Sequence, residues 1–290
     1  MVMIDYHLHL WSHGAKDHPV LLEELAAYCE HAATQGVSEI AVTEHFYRFS
    51  QARSILSGYF RRYPESAMRD LMEDYWESNA TADLDQYVAV VQEAKAAGLP
   101  IVMGLEVDYY PEAMDRVQSL LQGYPFDVLL GSVHWIDAWP FDHVDDPVVM
   151  AEWERIGVEP AWSAYTRALE ELAATHAVDV LAHPDLVKVA GHRPSVPTEY
   201  YDRMAEAAAA AGIAAEVSSA GMRKPVEEFY PAPELLKRFL DRGVALTTAS
   251  DAHGLGDVAD RAPAIKSLLA SEGVTTLRRF ERRVGSQVAL

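Results

Sequence analysis

The chain has 290 residues, half of them hydrophobic, and its 24 Lys and Arg residues against 44 Asp and Glu residues give a formal net charge of −20. This negative charge disfavours attraction to a nucleic-acid backbone, and no apolar run approaches the roughly 18 residues needed to span a membrane. We therefore expect a soluble, cytoplasmic protein whose partner is a small molecule rather than nucleic acid or a membrane.

Seven short β-rich runs alternate with alanine-rich amphipathic stretches along the chain. Each run is largely apolar, as expected for parallel strands that are buried on both faces. Length alone allows two small domains or one barrel, but the repeated alternation favours a single seven-stranded α/β barrel over residues 1–290. In chain order the runs are MVMIDYHLH, GVSEIAVTEH, GLPIVMGLEVDY, YPFDVLLGSVHW, AVDVLAHPD, GIAAEVSSAG and GVALTTASDAH.

Two segments depart from this rhythm. Residues 46–85 combine aromatic, charged and helix-forming side chains, which predicts a helical insertion over one end of the barrel. The C-terminal run VTTLRRFERRVGSQVAL is expected to form a closing helix followed by a short strand or tail, with its arginines on a solvated face.

Histidines and carboxylates cluster where the predicted strands end. The C-terminal ends of parallel strands form the active-site face of a barrel, so side chains far apart in sequence meet there. Imidazole is the commonest metal ligand in proteins, and the sequence therefore predicts a metal site at this face. The strand-end residues are His7, His9, His45, Glu106, His134, His183, Asp251 and His253.

Each motif has a simpler explanation when it is taken alone. HLH could be a strand edge, TEH and AHPD could be helix-capping turns, Glu106 could be a surface carboxylate, and Asp251 could be a helix N-cap. Chance placement of such residues at five strand ends together has odds on the order of one in twenty or less. Four histidines without a strand-end position are expected on the surface or in packing contacts: His18, His31, His143 and His176.

The ligand types indicate which metals would bind. Imidazoles with only two carboxylates suit zinc, iron or manganese better than magnesium or calcium, which prefer oxygen ligands. The set is larger than one tetrahedral ion can use, so two or three ions sharing a carboxylate would fit. Such clusters activate water and stabilise developing charge during hydrolysis of phosphate esters or amides. The leading functional class is therefore a hydrolase.

These residues make the chain resemble the polymerase-and-histidinol-phosphatase (PHP) family of metal-dependent proteins. The general family motifs are HLH, TEH, GLEVD, AHPD and SDAH, and the resemblance covers nearly the whole chain. Two longer stretches resemble the histidinol-phosphatase branch in particular, namely GSVHWIDAWPFD and EVSSAGMRKPVEEFYPAPELLKRFLDRGVALTTASDAH.

The resemblance implies a distorted (β/α)7 barrel with three divalent metal ions. Its opening motif usually has a longer spacing before the third histidine, so the short HLHLWSHG leaves His18 as the alternative to His13. The implied ligands are His7, His9, Glu106 and Asp251 for the first ion, Glu106, His134 and His183 for the second, and His13, His45 and His253 for the third.

The histidinol-phosphatase branch implies hydrolysis of L-histidinol phosphate in histidine biosynthesis. The catalytic groups would be Glu106, Asp251 and His253. The anionic substrate needs local positive charge on this acidic protein, and the candidates that would bind phosphate are Arg223, Arg193 and Lys224. Two alternatives remain: a phosphatase for a nucleotide or another small phosphomonoester, and a metal-binding module without catalytic activity.

Overall fold

A sheet of seven parallel strands forms the centre of the molecule, in a computed structural model that describes residues 3–12 and 19–290. The strands pair in chain order, each with the next, so every crossover returns to the neighbouring position. Their bounds are β1 (Met3–Asp5), β2 (Val37–Val42), β3 (Ile101–Asp108), β4 (Val128–Ser132), β5 (Val180–Leu181), β6 (Ala214–Ser218) and β7 (Leu246–Ala249).

The sheet curls until its first and last strands meet. The Tyr6 amide donates a hydrogen bond to the Thr248 carbonyl at 2.8 Å, and the Asp251 amide donates to the His7 carbonyl at 2.8 Å. Beyond β1, the His9 amide reaches the Ala252 carbonyl at 2.7 Å. These bonds continue past the ends of both strands, and the predicted seven-stranded barrel is confirmed.

Amphipathic helices cover the outside of the barrel and explain why the strands are apolar on both faces. All residues of β3, β4 and β6 are buried, including those that point away from the barrel axis. Within the described part of the chain, none of the helices has the length and apolar character required to traverse a bilayer. The covering helices are α1 (Leu22–Thr34), α4 (Leu84–Ala96), α5 (Met114–Leu121), α6 (Pro147–Ile156), α7 (Val158–Ala174), α8 (Thr198–Ala211), α9 (Pro233–Asp241) and α10 (Ala262–Ser271).

The stretch between β2 and α4 forms the expected helical insertion. It contains short 3-10 turns and two helices, α2 (Arg53–Leu56) and α3 (Ala67–Asn79). Its aromatic side chains pack beyond the end of β4, where the rings of Phe60 and Trp135 lie 5.7 Å apart. At the end of this stretch, Asp83 caps α4 by accepting a hydrogen bond from the Asp85 amide at 2.8 Å.

The C-terminal segment is an antiparallel hairpin, β8 (Thr276–Glu281) and β9 (Val284–Ala289), so the expectation of a closing helix was wrong. Arg282 and Arg283 make the two-residue turn, with φ values of 48° and 64°. The Arg283 guanidinium pairs with Asp179, just before β5, at 2.8 Å. Arg279 pairs with Glu39 in β2 at 2.8 Å. The hairpin therefore covers the N-terminal end of the barrel, opposite the predicted site.

We predict that Gly104→Ala destabilises the barrel. A Cβ atom at this position in β3 would lie 2.9 Å from the Thr43 side chain and 2.9 Å from the Val128 carbonyl oxygen. Overpacking of this kind costs about 1–3 kcal/mol. Thermal unfolding followed by circular dichroism would measure it, with Gly256→Ala as the control, since a Cβ atom there meets nothing within 4 Å. Equal melting temperatures for the two variants would contradict the close packing.

Candidate metal centre

The strand-end residues predicted from the sequence converge at the C-terminal end of the barrel. Glu106 lies inside β3, and the other side chains follow the ends of their strands. His13 and its alternative His18 lie outside the described residues. The residues that the structure brings together are His7, His9, His45, Glu106, His134, His183, Asp251 and His253.

Glu106 occupies the centre of this cluster and is fully buried. Its Oε2 atom lies 2.9 Å from Nδ1 of His45 and 3.2 Å from Nε2 of His7. Its Oε1 atom lies 3.1 Å from Nε2 of His183 and 3.4 Å from Nε2 of His134. The two carboxylate oxygens therefore face different imidazoles, which is the arrangement of a carboxylate able to bridge two ions.

Asp251 approaches the cluster from the far end of β7. Its Oδ1 atom lies 3.5 Å from Nε2 of His9 and 3.7 Å from Nε2 of His7. The residue adopts a left-handed backbone with φ of 52°, a conformation that is costly for a side chain other than glycine. His183 also has a positive φ, of 25°. Asp251 and His183, which both point into the cluster, therefore have strained backbone conformations.

The donor atoms form groups compact enough to hold metal ions. In each group the atoms lie within 4.8 Å of one another, and ligands around one tetrahedral ion at about 2.0–2.1 Å have comparable separations. The groups share members, as expected when neighbouring ions share ligands. They are His9, His45 and His253; His7, His9 and Asp251; His7, Glu106 and His183; and His45, Glu106 and His134.

The chemistry of the donor set fits divalent cations. Oε2 of Glu106 is buried and accepts no hydrogen bond from the described residues, although the imidazole nitrogens of His7, His9 and His45 lie 2.9–3.4 Å away. Nitrogen lone pairs and a carboxylate oxygen that converge in this way repel one another unless a proton or a cation lies between them. A metal ion satisfies all of them at once.

Charge interactions in the cluster also indicate that it binds cations. Burial disfavours the charged form of His9, yet the nearby carboxylates of Asp251 and Glu106 outweigh this effect and raise the pKa of His9 to about 10. Burial also opposes ionisation of Glu106, but the charges of the surrounding imidazoles, led by His45, hold its pKa well below the usual range. The buried carboxylates therefore require nearby positive charge at neutral pH, from bound protons or from metal ions.

Three carboxylates behind the imidazoles were not predicted from the sequence. Glu216 lies 2.8 Å from Nδ1 of His7, and Asp108 lies 2.6 Å from Nδ1 of His134. Glu44 lies 3.6 Å from Nδ1 of His9. Carboxylates that hydrogen-bond to metal-binding imidazoles, as Glu216 and Asp108 are placed to do, orient the rings and fix their tautomers. The available signal was an acidic residue inside an otherwise apolar strand, as for Glu216, or one within two residues of a ligand-type residue, as in TEH and GLEVD.

A cavity of about 800 Å³ opens over the cluster. His45, His134, His183, Asp251 and His253 contribute to its walls, together with side chains from the insertion and from the loop after β4. The insertion contributes Tyr47 and Tyr75, whose hydroxyl oxygens lie 2.9 Å apart. His143, which has no strand-end position, also lines the cavity, and its ring lies 5.1 Å from that of Tyr75. The cluster is thus accessible to a small molecule from one side.

The three predicted phosphate-binding cations occupy different places. Arg223 and Lys224 line the cavity. The Arg223 guanidinium donates hydrogen bonds to Asp260 at 2.9 Å and to the Asp251 carbonyl at 2.9 Å, so it also supports the left-handed turn. Across the described residues, the structure does not bring Arg193 to the cavity wall, because its guanidinium pairs with Glu228 at 2.6 Å instead.

Comparison with known proteins agrees with this geometry. A family model described as PHP domain matches residues 7–220. A probable histidinol-phosphatase from Deinococcus radiodurans is 34% identical over 203 residues, covering 69% of this chain and 76% of that protein. Another from Schizosaccharomyces pombe is 26% identical over 278 residues, covering 88% of this chain and 87% of that protein.

Solved structures share the fold. The crystal structure of histidinol phosphate phosphatase from Lactococcus lactis, complexed with zinc, L-histidinol and phosphate, matches with a TM-score of 0.68 and 18% identity, and covers 98% of each chain. The family model covers more than half of this chain, and the Deinococcus relative exceeds 30% identity over two thirds of it. The resemblance seen in the sequence motifs is therefore confirmed, and this chain belongs to the PHP domain family.

Proposed function

We propose that this protein is a metal-dependent phosphomonoesterase that hydrolyses L-histidinol phosphate to L-histidinol and phosphate. The observation that carries the proposal is the position of Glu106, whose two oxygens face separate groups of imidazoles at the floor of a cavity open to small molecules. The curated relatives in Deinococcus and Schizosaccharomyces have names that state the same activity.

Divalent metal ions fit the donor set, and we propose three of them. The first would be bound by His7, His9, Glu106 and Asp251, and the second by Glu106, His134 and His183. The third would be bound by His45 and His253, with His13 as a further ligand. The compact donor groups support this assignment. The rings of His45 and His253 each stack on the ring of His9, with a centroid distance of 4.3 Å in both pairs.

In this proposal the cluster supplies charge and the protein supplies position. Bound divalent ions would polarise the phosphate oxygens and activate water for attack on phosphorus. Glu106, Asp251 and His253 are the proposed catalytic groups, since they would fix the ions that contact the reacting phosphate. Arg223 and Lys224 line the same cavity and would add positive charge on the substrate side. The side chains of Tyr47 and Tyr75 line one side of this cavity.

The first test concerns metal content. We expect purified protein to carry about two to three transition-metal ions per chain, because the donor set exceeds what one tetrahedral ion uses. Chelation should abolish phosphate release from L-histidinol phosphate, and added zinc or manganese should restore it. Elemental analysis and the phosphate assay would be run on the same samples. Full activity in protein that carries one ion or none would refute the multinuclear centre.

The second test concerns the bridging carboxylate. Glu106→Gln keeps the shape of the side chain but removes its charge, so both groups of imidazoles lose their common anionic partner. We expect lower metal content and a larger loss of turnover than in His253→Ala, whose side chain lies at the rim and is 20% exposed. Both variants would be assayed with identical metal supply. Higher residual activity in Glu106→Gln than in His253→Ala would overturn the bridging role.

The third test concerns phosphate recognition. Arg223→Ala should lower kcat/KM for L-histidinol phosphate by about 10- to 100-fold, the effect of losing a charge-assisted hydrogen bond. Inorganic phosphate should also inhibit this variant less strongly. Arg193→Ala is the comparison, since it breaks an ion pair with Glu228 away from the cavity. Metal analysis would show whether loss of the hydrogen bond to Asp251 contributes. Wild-type kinetics in Arg223→Ala would exclude a role in phosphate binding.

A further inference from the structure

Asp142 is an acidic residue of the cavity wall that the metal centre does not use. It follows β4 on the loop that leads to α6, and its Oδ1 atom is buried without a hydrogen-bond partner among the described residues. Burying a carboxylate oxygen without a donor costs free energy, so a carboxylate in this state calls for a functional explanation. Asp142 therefore differs from carboxylates that the fold itself satisfies.

The neighbouring Asp146 illustrates the difference. Its Oδ1 atom accepts hydrogen bonds from the amides of Val148 at 2.8 Å and Val149 at 3.4 Å, which makes it the N-cap of α6. Asp146 therefore has a structural role, although it also lines the cavity. Asp142 has no such role, and the described residues provide no ion pair to its side chain.

Asp142 lines the same cavity as His134 of the metal centre and Tyr75 of the insertion. Burial and the charge of Asp142 both raise the pKa of the Tyr75 hydroxyl. The same charge is among those that act on His134. The cavity wall also contains Arg223 and Lys224. Arg223 donates to Asp260 and to backbone carbonyls, and within the described residues Lys224 forms no ion pair with Asp142. Among the described residues, Asp142 is therefore a carboxylate of the cavity wall without a cationic partner.

The proposed substrate offers a matching group. L-Histidinol phosphate carries an ammonium group on the carbon next to its ester CH₂, so a phosphate held at the metal centre places a cation a few bonds away. An ammonium group has three donors and no acceptor, which suits a carboxylate that lacks a donor. We propose that Asp142 binds the substrate's ammonium group and thereby selects phosphomonoesters with a cation beside the ester. This inference rests on the proposed function.

The test compares two substrates that differ only in this group. They are L-histidinol phosphate and 3-(imidazol-4-yl)propyl phosphate, which lacks the ammonium group. Asp142→Asn should lower kcat/KM for L-histidinol phosphate by about 10- to 100-fold, because it removes a charge-assisted hydrogen bond. It should leave kcat/KM for the second substrate essentially unchanged. The ratio of kcat/KM for the two substrates would therefore fall toward one in Asp142→Asn.

Asp137→Asn is the matched control. It makes the same isosteric change in the same loop, at an exposed residue outside the cavity wall whose φ of 56° asparagine also adopts. This variant should keep the wild-type preference. Metal content and melting temperature would be measured for both variants, and Asp142→Ser would replace Asp142→Asn if the latter failed to fold.

The outcomes separate this inference from the proposed function. A wild-type enzyme that prefers L-histidinol phosphate, with the same preference retained in Asp142→Asn, would overturn the role of Asp142 alone. A wild-type enzyme that does not hydrolyse L-histidinol phosphate would overturn the proposed function, and this inference with it. An equal loss with both substrates in Asp142→Asn would show a general effect on catalysis and would also refute ammonium recognition.

Discussion

The repulsion among buried carboxylates at the mouth of the barrel is the constraint on which the rest of the site depends. Glu106 and Asp251 face the imidazoles directly, and Glu216 and Asp108 stand behind them. So much negative charge in a buried space is unstable unless positive charge neutralises it. The imidazole nitrogens are arranged so that metal ions can supply that charge, and the same ions would then attract a phosphate on a protein whose net charge is −20.

The fold keeps this charged group in place through the strands themselves. Glu216 lies within β6 and connects two parts of the cluster, since it contacts Nδ1 of His7 and accepts a hydrogen bond from the His183 amide at 3.2 Å. Asp5 at the end of β1 accepts hydrogen bonds from the Ser250 amide at 2.7 Å and the Ala259 amide at 2.8 Å. The seam where the barrel closes is therefore also the support for the residues that precede Asp251.

Much of the fold and the convergence of the strand-end side chains could be predicted from the sequence, because parallel strands give apolar runs whose ends must meet. The supporting carboxylates could not be predicted. A single acidic residue such as Glu216 within the apolar run AAEVS does not reveal which side chain it contacts in the folded protein. The C-terminal hairpin was missed because its turn uses Arg282 and Arg283 in left-handed conformations that usually favour glycine or asparagine. The position of Arg193 depends on its pairing with Glu228, a tertiary contact that local patterns do not reveal.

The two ends of the barrel differ in how their charged side chains are paired, and the β8–β9 hairpin contributes to the pairing at one of them. Below the strands, the charges are matched: Arg283 with Asp179, Arg279 with Glu39, and Lys95 with Asp127. Above them, the largely buried carboxylates of Glu106 and Asp251 have imidazoles beside them rather than lysine or arginine side chains, and charges buried in this way lower stability. Substitutions that stabilise the protein should therefore be tolerated at the hairpin end, whereas the same kind of charge matching at the cavity end would fill the positions that the ligand needs.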